Sequence, residues 1–453
     1  MTTATADYID QPNNTKLKHI PGEYGLPVLG MAGELFKDHL GFARRMYDTY
    51  GPVARIQMAT EKGLLAQGPD LAQKILLDRD KNFSSKMGYR WALQPFFGTS
   101  YLLGNDFEEH KFQRRIMQTG FKTPSMRGYV DIMTPVIAEG MKDWADQPDF
   151  TVYTNVKSLL MRTALKVFYG VEGDSDLADQ LSQAFIDLTE GQMGLFRVEL
   201  PGFKYYSGRK ATRLLRSYIK SLLPNVRTND GKDMLSYMAK ETKPDGSPFT
   251  DEELIDHASF LLFAAHDTTT STLNHMMYYL AKHPEWQNKV RAEGASIAAP
   301  CELQYEDLDK LELLEAAFNE SQRLHPSVQV MVRRTIRDCE LGGHQVPANT
   351  LIYQFPIFTN RMADYWTNPD DFDPERLMPE RAENKNHPFC FMPFGGGAHK
   401  CIGMHFAMMQ SKMFVHQFLQ THRISLKDNY MPEFKTVPLP KIEDGLPLNI
   451  SKL

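Results

Sequence analysis

The chain is 453 residues long and has only four cysteines: Cys301, Cys339, Cys390 and Cys401. None lies in a Cys-x-x-Cys pair, which excludes the common zinc and dithiol motifs. A chain of this length does not need disulfide staples, so Cys301, Cys339 and Cys390 read as ordinary thiols, each a small hydrophobe. No run of about 18 or more apolar residues occurs, so no transmembrane helix is expected. The segment Met1 to Lys18 is polar and lacks the apolar stretch of a secretory signal. Basic residues are not in excess either. There are 51 Lys and Arg against 56 Asp and Glu, a net charge of −5 that leaves no footprint for nucleic acid. Repeats, low-complexity tracts and Gly/Ser linkers are missing too. What remains is a globular chain, 42% apolar, able to bury a large core. It is expected in the cytoplasm, without a membrane anchor.

Length alone suggests about three domains. No composition shift marks a boundary, however, so residues 1–20 read as a loose leader and residues 21–453 as a single domain. Val53 to Ala66 reads as two short strands around a turn. From Gly128 to Leu324 the apolar period is mainly helical, and short strands and Pro/Gly-rich loops return after Pro326. The expected class is mainly α, as an α+β fold with small β-rich parts towards both ends. One helix stands out. Asp251 to Lys282 contains no Pro or Gly, and Leu254, Ala258, Leu261, Leu262 and Ala265 recur at helical spacing. At 1.5 Å per residue, thirty residues span roughly 45 Å, enough to cross the molecule. Within it the run His266-Asp267-Thr268-Thr269-Thr270-Ser271-Thr272 is polar. Such a cluster inside an apolar helix is costly unless its groups are paired or used.

The fourth cysteine has a distinctive setting, Phe394-Gly395-Gly396-Gly397-Ala398-His399-Lys400-Cys401-Ile402-Gly403. Consecutive glycines allow positive-φ turns and close approach of the backbone to a flat object. The pattern Phe-x-x-Gly-x-His-x-Cys-x-Gly resembles the haem-ligand loop of the cytochrome P-450 family, the haem-thiolate monooxygenases. Four further motifs follow the same resemblance in the expected order, from about Pro21 to Pro447. Ala264-Ala265-His266-Asp267-Thr268-Thr269 is similar to the family's oxygen-activation motif, with Ala265 where Gly is usual. Glu320-Ser321-Gln322-Arg323 resembles its Glu-x-x-Arg pair. Pro374-Glu375-Arg376-Leu377 resembles its Pro-Glu-Arg-Phe element, and His110-Lys111-Phe112-Gln113-Arg114 its Trp/His-x-x-x-Arg helix. The strings from Leu261 to Thr269, Phe196 to Gly202 and Ala211 to Leu215 look like the retinoid- and sterol-oxidising branches.

The resemblance implies a set of roles. Cys401 would ligate the iron of haem b, with Phe394 beside the sulfur and Gly397 and Gly403 letting the loop lie against the porphyrin. His110, Arg114, Arg333 and His399 would hold the propionates, and Ala264 would border the cofactor. Asp267 and Thr268 would deliver the two protons that oxygen activation consumes. Thr268 has a second available role, bonding the carbonyl four residues back. His266 is a spacer or a member of the proton path. Alanine at 265 favours regular helix over the kink glycine allows, by about 1 kcal/mol. Glu320, Arg323 and Arg376 would form a structural triad.

Substrate would meet Met87, Trp91, Phe96, Phe97, Phe196, Phe263, Val328, Val330 and Met331, an apolar and aromatic lining that implies an apolar substrate. Ordinary core packing is the alternative for each. Arg90 and Arg197 could meet a carboxylate or could simply be solvated. The implied activity is hydroxylation of a terpenoid, steroid, retinoid or fatty acid by a monomer using O2. Electrons would come from NAD(P)H through a separate ferredoxin or flavodoxin with its reductase, since no redox domain is fused. A peroxide-driven peroxygenase and a non-catalytic haem sensor or carrier remain the alternatives.

Overall fold

The computed structural model describes residues 16–170, 175–192, 194, 197–228, 231, 233–243 and 245–453. The architecture is mainly helical, as the apolar period requires, with one five-stranded sheet near one end. Its strands are β1 (Val53–Met58), β2 (Glu61–Ala66), β3 (Phe83–Ser84), β4 (Met331–Thr335) and β5 (Leu351–Gln354), in the order β1-β2-β5-β4-β3. β2 and β5 run parallel and the other pairs antiparallel. The sheet thus joins the chain's first third to its last. Leu17 and Ile20 are fully buried against Val53, Leu64 and Ile352. The leader expected to trail as far as residue 20 is therefore docked at its end, because two apolar side chains three residues apart cover the sheet. Residues 1–15 lie outside the described part.

The central helix runs from Asp251 to Lys282, as the sequence predicts. Thr250 starts it with a reciprocal cap: its hydroxyl accepts from the Glu253 amide, and the Glu253 carboxylate accepts from the Thr250 amide at 2.8 Å. His283 and Pro284 end it. The helix packs against the helices Val152–Tyr169 and Lys204–Thr228 in the largest core cluster.

The loop segment between residues 360 and 376 is pinned by buried charge. Glu320, Arg323 and Arg376 are all 0% exposed. Arg323 grips Glu320 with two hydrogen bonds of 2.8 Å, and Arg376 Nε donates to the same carboxylate at 3.1 Å. Spare guanidinium protons do not go unmet. Arg323 donates to the carbonyls of Asn360, Pro369 and Asp371, while Arg376 donates to those of Thr367, Asn368 and Asp371 and to Glu383. A buried ion pair stabilises only when its remaining donors are satisfied, and here the backbone of the loop satisfies them. The Glu320→Gln variant leaves two guanidinium groups sharing no carboxylate. It is expected to lose about 3–5 kcal/mol of stability, read as a lower urea midpoint at unchanged slope; an unchanged midpoint refutes the role.

Candidate active site

The cysteine loop turns on Gly395 at φ +68° and Gly397 at φ +63°. A side chain at 397 is excluded for a further reason: its Cβ would lie 1.7 Å from the Leu76 carbonyl oxygen, in the helix Pro69–Leu77. Gly397 thus fits the loop to a neighbouring helix. Gly403 meets nothing closer than Phe121, at 3.9 Å. The Cys401 amide donates to the Phe394 carbonyl at 2.9 Å, which closes the loop, and the helix Met404–Thr421 begins three residues on. Phe394 is half-buried and its ring stacks on Phe318 at 6.3 Å.

Cys401 is solvent-accessible, yet burial is the main influence on its thiol and pushes its pKa up. Protein atoms thus crowd the sulfur even though solvent reaches it. The Gly403 amide and the charges of Arg114 and Lys400 oppose burial and favour the thiolate. A thiolate is the metal-binding form.

Beside it a cationic cluster gathers from three separate segments. His110 and Arg114 lie one turn apart on the helix Phe107–Met117, His399 on the cysteine loop and Arg333 on β4. The rings of His110 and His399 are 3.9 Å apart. Burial, reinforced by the charges of Arg114 and Arg333, pushes His110 down to about 4. Burial, with Arg333, His110 and Arg114, pushes His399 down to about 2. Among the described residues neither Arg114 nor Arg333 has a salt bridge, although Arg333 is buried. Asp106, 3.7 Å from His399, is occupied by the Ser84 hydroxyl and the Ser85 amide. Buried guanidinium without a carboxylate is unfavourable unless an anion completes it. A thiolate donor next to this uncompensated positive charge fits haem, whose iron takes sulfur and whose two propionates take the cations.

The central helix carries the polar run noted in the sequence. From Leu254 to Ala281 every residue is buried except Phe263, Ala264, Ala265 and Thr268. Those four make one accessible strip on an otherwise enclosed helix. The Thr268 hydroxyl donates to the Ala264 carbonyl at 2.7 Å, the local bond named above as its second role. Thr269 and Thr272 repeat the pattern onto Ala265 and Thr268, at 2.8 and 2.9 Å. With alanine at 265 the helix runs on unbroken. Asp267 points elsewhere. It is 4% exposed and bonded at 2.7 Å to Lys157 of the helix Val152–Tyr169 and at 2.9 Å to the Thr189 hydroxyl. His266 Nδ1 lies 3.2 Å from it, and His266 Nε2 donates to the Lys157 carbonyl at 2.8 Å. Burial pushes the Asp267 carboxyl up, but Lys157 and His266 outweigh burial and hold it well below the usual carboxylate range. Lys157 and Thr189 have no counterpart in the sequence reading. The signal was a lone lysine in the apolar run from Val156 to Leu160.

The expected substrate-lining residues scatter. Phe97 packs on Phe263 at 4.9 Å, so these two meet at the accessible strip. Phe96 is buried and edge-on to Tyr205 at 5.7 Å. Met87 is half-buried in the first turn of the helix Ser85–Phe97. Trp91 is 63% exposed and Val328 38% exposed. Val330 packs into the core beside Phe355 and Phe358, and Met331 into the cluster of Leu76, Phe389 and Met392. Phe196 lies outside the described residues.

Comparison with known proteins agrees with this geometry. The cytochrome P450 family profile matches residues 20–442. A putative cytochrome P450 136 of Mycobacterium tuberculosis is 37% identical over 444 residues, which is 97% of this chain and 90% of that relative. Lanosterol 14-alpha demethylase of Rattus norvegicus is 26% identical across 90% of this chain and 82% of its own. A solved structure described as retinoic acid bound cyanobacterial CYP120A1 superposes with a TM-score of 0.89, over 96% of this chain and 99% of that one, at 24% identity. Among the described residues no helix is long and apolar enough to cross a membrane. A fold that sets a cysteine sulfur beside unmatched buried cations, matched to one family along nearly its whole length, makes this chain a member of the cytochrome P450 family.

Proposed function

We propose that this cytochrome P450 monooxygenase hydroxylates an apolar molecule of the terpenoid, steroid, retinoid or fatty-acid class, with electrons drawn from a ferredoxin or flavodoxin. The observation that carries this reading is the accessible strip Phe263, Ala264, Ala265 and Thr268: three apolar surfaces beside one hydroxyl on a helix otherwise buried from Leu254 to Ala281. An apolar body fits the first three, and the hydroxyl serves proton transfer. The relatives add weight, since one is named for a sterol and a structural neighbour is described with retinoic acid.

Haem, when bound, supplies O2 activation and insertion of one oxygen atom into a C–H bond. This chain's residues would do the rest. Cys401 would hold the iron, and His110, Arg114, Arg333 and His399 the propionates. Thr268 Oγ1 keeps its proton on the Ala264 carbonyl at 2.7 Å and is the exchangeable hydroxyl on the strip. Asp267, one residue earlier, holds a carboxylate that would carry protons from the direction of Thr189 and Lys157. To do so it must loosen from Lys157, so the ion pair would set when a proton moves.

The outer face of the helix Phe107–Met117 supports a reduction partner. Lys111 and Arg115 are exposed there, Lys122 follows it, and Lys400 lies beside the cysteine. Such a face steers an acidic partner by long-range attraction.

Four outcomes are expected. A screen of the four compound classes finds a ligand that shifts the Soret band from low to high spin and supports NAD(P)H consumption with a ferredoxin system. Cys401→Ala then loses the thiolate-type CO-difference band; persistence of that band refutes the assignment. In Lys157→Met, Asp267 stays buried without its cation. The native pair contributes stability above the unfolded carboxyl pKa of about 4, and this is lost as pH falls through the lower folded value. The variant is therefore expected to be less stable by about 3–5 kcal/mol at pH 7, with the gap narrowing below pH 4; a pH-independent gap counts against the pair. Exchanging Lys111 and Arg115 for Glu slows reduction by about tenfold or more at low salt and flattens its salt dependence, as stopped-flow reduction would show.

A further inference from the structure

A cavity of about 700 Å³ lies between the helix Ser85–Phe97, the segment at Arg197 and the helix Lys204–Thr228. It is separate from Cys401, and its chemistry is unlike that of the accessible strip. Five arginines line it, Arg90, Arg197, Arg209, Arg213 and Arg216, with no Asp or Glu among its lining residues. Four of the five are already engaged: Arg90 Nε donates to the Gln94 side chain at 3.0 Å. Arg209 and Arg213 share Glu199, at 2.9 and 3.6 Å, and Arg216 bridges Glu252 and Asp256 at 2.6 and 2.5 Å.

Arg197 differs. Among the described residues it has no carboxylate partner; its Nη1 donates to the Trp91 carbonyl at 2.5 Å and its Nη2 to the Gln192 carbonyl at 3.5 Å, and its Nε is buried with no partner. Its guanidinium lies flat, 3.5 Å from the centre of the Trp91 ring and 5.5 Å from that of Tyr205. Stacking on two aromatic rings fixes the fork without neutralising it. Trp91, 63% exposed, is thereby held at the mouth of the cavity in spite of its size. The inner wall is Phe96, which packs on Tyr205, and the next residue, Phe97, packs on Phe263 of the strip. Two phenyl rings thus separate a positively charged chamber from the apolar face of the central helix.

We propose that this cavity is a recognition site for a carboxylate, in which Arg197, braced by Trp91, meets the acid end of an apolar substrate whose body displaces the rings of Phe96 and Phe97 to extend towards Thr268. The proposal rests on the reading of the strip as the reaction site and adds to it that the substrate is an acid. Arg197 thereby acts in specificity and touches no reacting atom.

The test uses the haem-loaded protein and equilibrium dialysis of retinoic acid and palmitic acid against their methyl esters. Each acid is expected to bind at least about tenfold more tightly than its ester, as a charge-assisted bond to an unmatched guanidinium implies. Arg197→Gln retains donors for the Trp91 carbonyl but removes the charge; it should weaken the acids by about ten- to a hundredfold and leave the esters unchanged. Arg213→Gln, at an exposed side chain, is the second variant and should weaken the acids by a few fold, as expected for a partly screened charge. Acids and esters binding alike, neither acid binding, or an acid preference that survives both variants each overturns the proposal. The CO-difference spectrum of the same samples separates the two levels. A thiolate-type band without acid preference overturns only this site, whereas no such band overturns the reading beneath it.

Discussion

The position of one sulfur atom depends on charges buried well away from it. Glu320 and its two arginines hold the carbonyls of residues 360 to 371, and the chain leaving that segment carries the cysteine loop. The loop is then fitted to the Leu76 carbonyl at Gly397, where no side chain is accommodated. Two kinds of constraint act in series. The first is electrostatic and extends over many residues; the second is steric and confined to one. Both are needed, since a thiolate reaching for a metal must be placed to within a few tenths of an ångström, and a glycine-rich loop alone has too much freedom for that.

Desolvation works in opposite senses on the two buried charge clusters. At Asp267 the opposite charge is supplied internally, by Lys157, so the carboxylate stays ionised in spite of its enclosure. At His110, Arg114, Arg333 and His399 the like charges face one another, and burial together with mutual repulsion drives both histidines towards the neutral form. The first cluster is complete and rigid. The second is complete only with an anion, and in a haem protein two carboxylates are the natural completion. The same physics therefore distinguishes a structural ion pair from a cofactor cradle without reference to any relative.

Local chemistry was legible in the sequence where a residue's role depends on its near neighbours. The central helix was readable end to end because no Pro or Gly interrupts it and its apolar residues recur at helical spacing. The loop of Cys401 and the Glu320–Arg323 pair were readable as short motifs for the same reason. Roles that depend on a distant partner were not. Lys157 and Asp267 are 110 positions apart, and only the packing of two helices brings them together. Val330 and Met331 read as pocket residues by their place in the chain. The strand that begins at Met331, however, alternates its faces, so Met331 and Arg333 turn inward together while Val332 and Arg334 lie less deep. Arg197 showed no local sign of pairing because its partner, Trp91, is contributed by the distant helix Ser85–Phe97.

Asp267 and Thr268 are consecutive, and consecutive helical residues project about 100° apart. An acid and a hydroxyl so placed point in different directions while the helix is regular. The structure resolves this by giving the hydroxyl to the accessible strip and the acid to the packed side, where Lys157 and Thr189 hold it. Glycine at 265 would let the helix yield at this point; alanine keeps the backbone regular and leaves side-chain rotation at Asp267 as the available movement. That rotation must break a buried ion pair, so the proton delivery proposed for Asp267 would be coupled to how firmly the helix carrying Lys157 and the helix carrying Thr189 are seated. The helix Ser175–Gln192, which supplies Thr189, also packs against the helix Lys204–Thr228 that lines the arginine-rich cavity. Events in that cavity are therefore mechanically adjacent to the carboxylate, through one helix and one hydrogen bond.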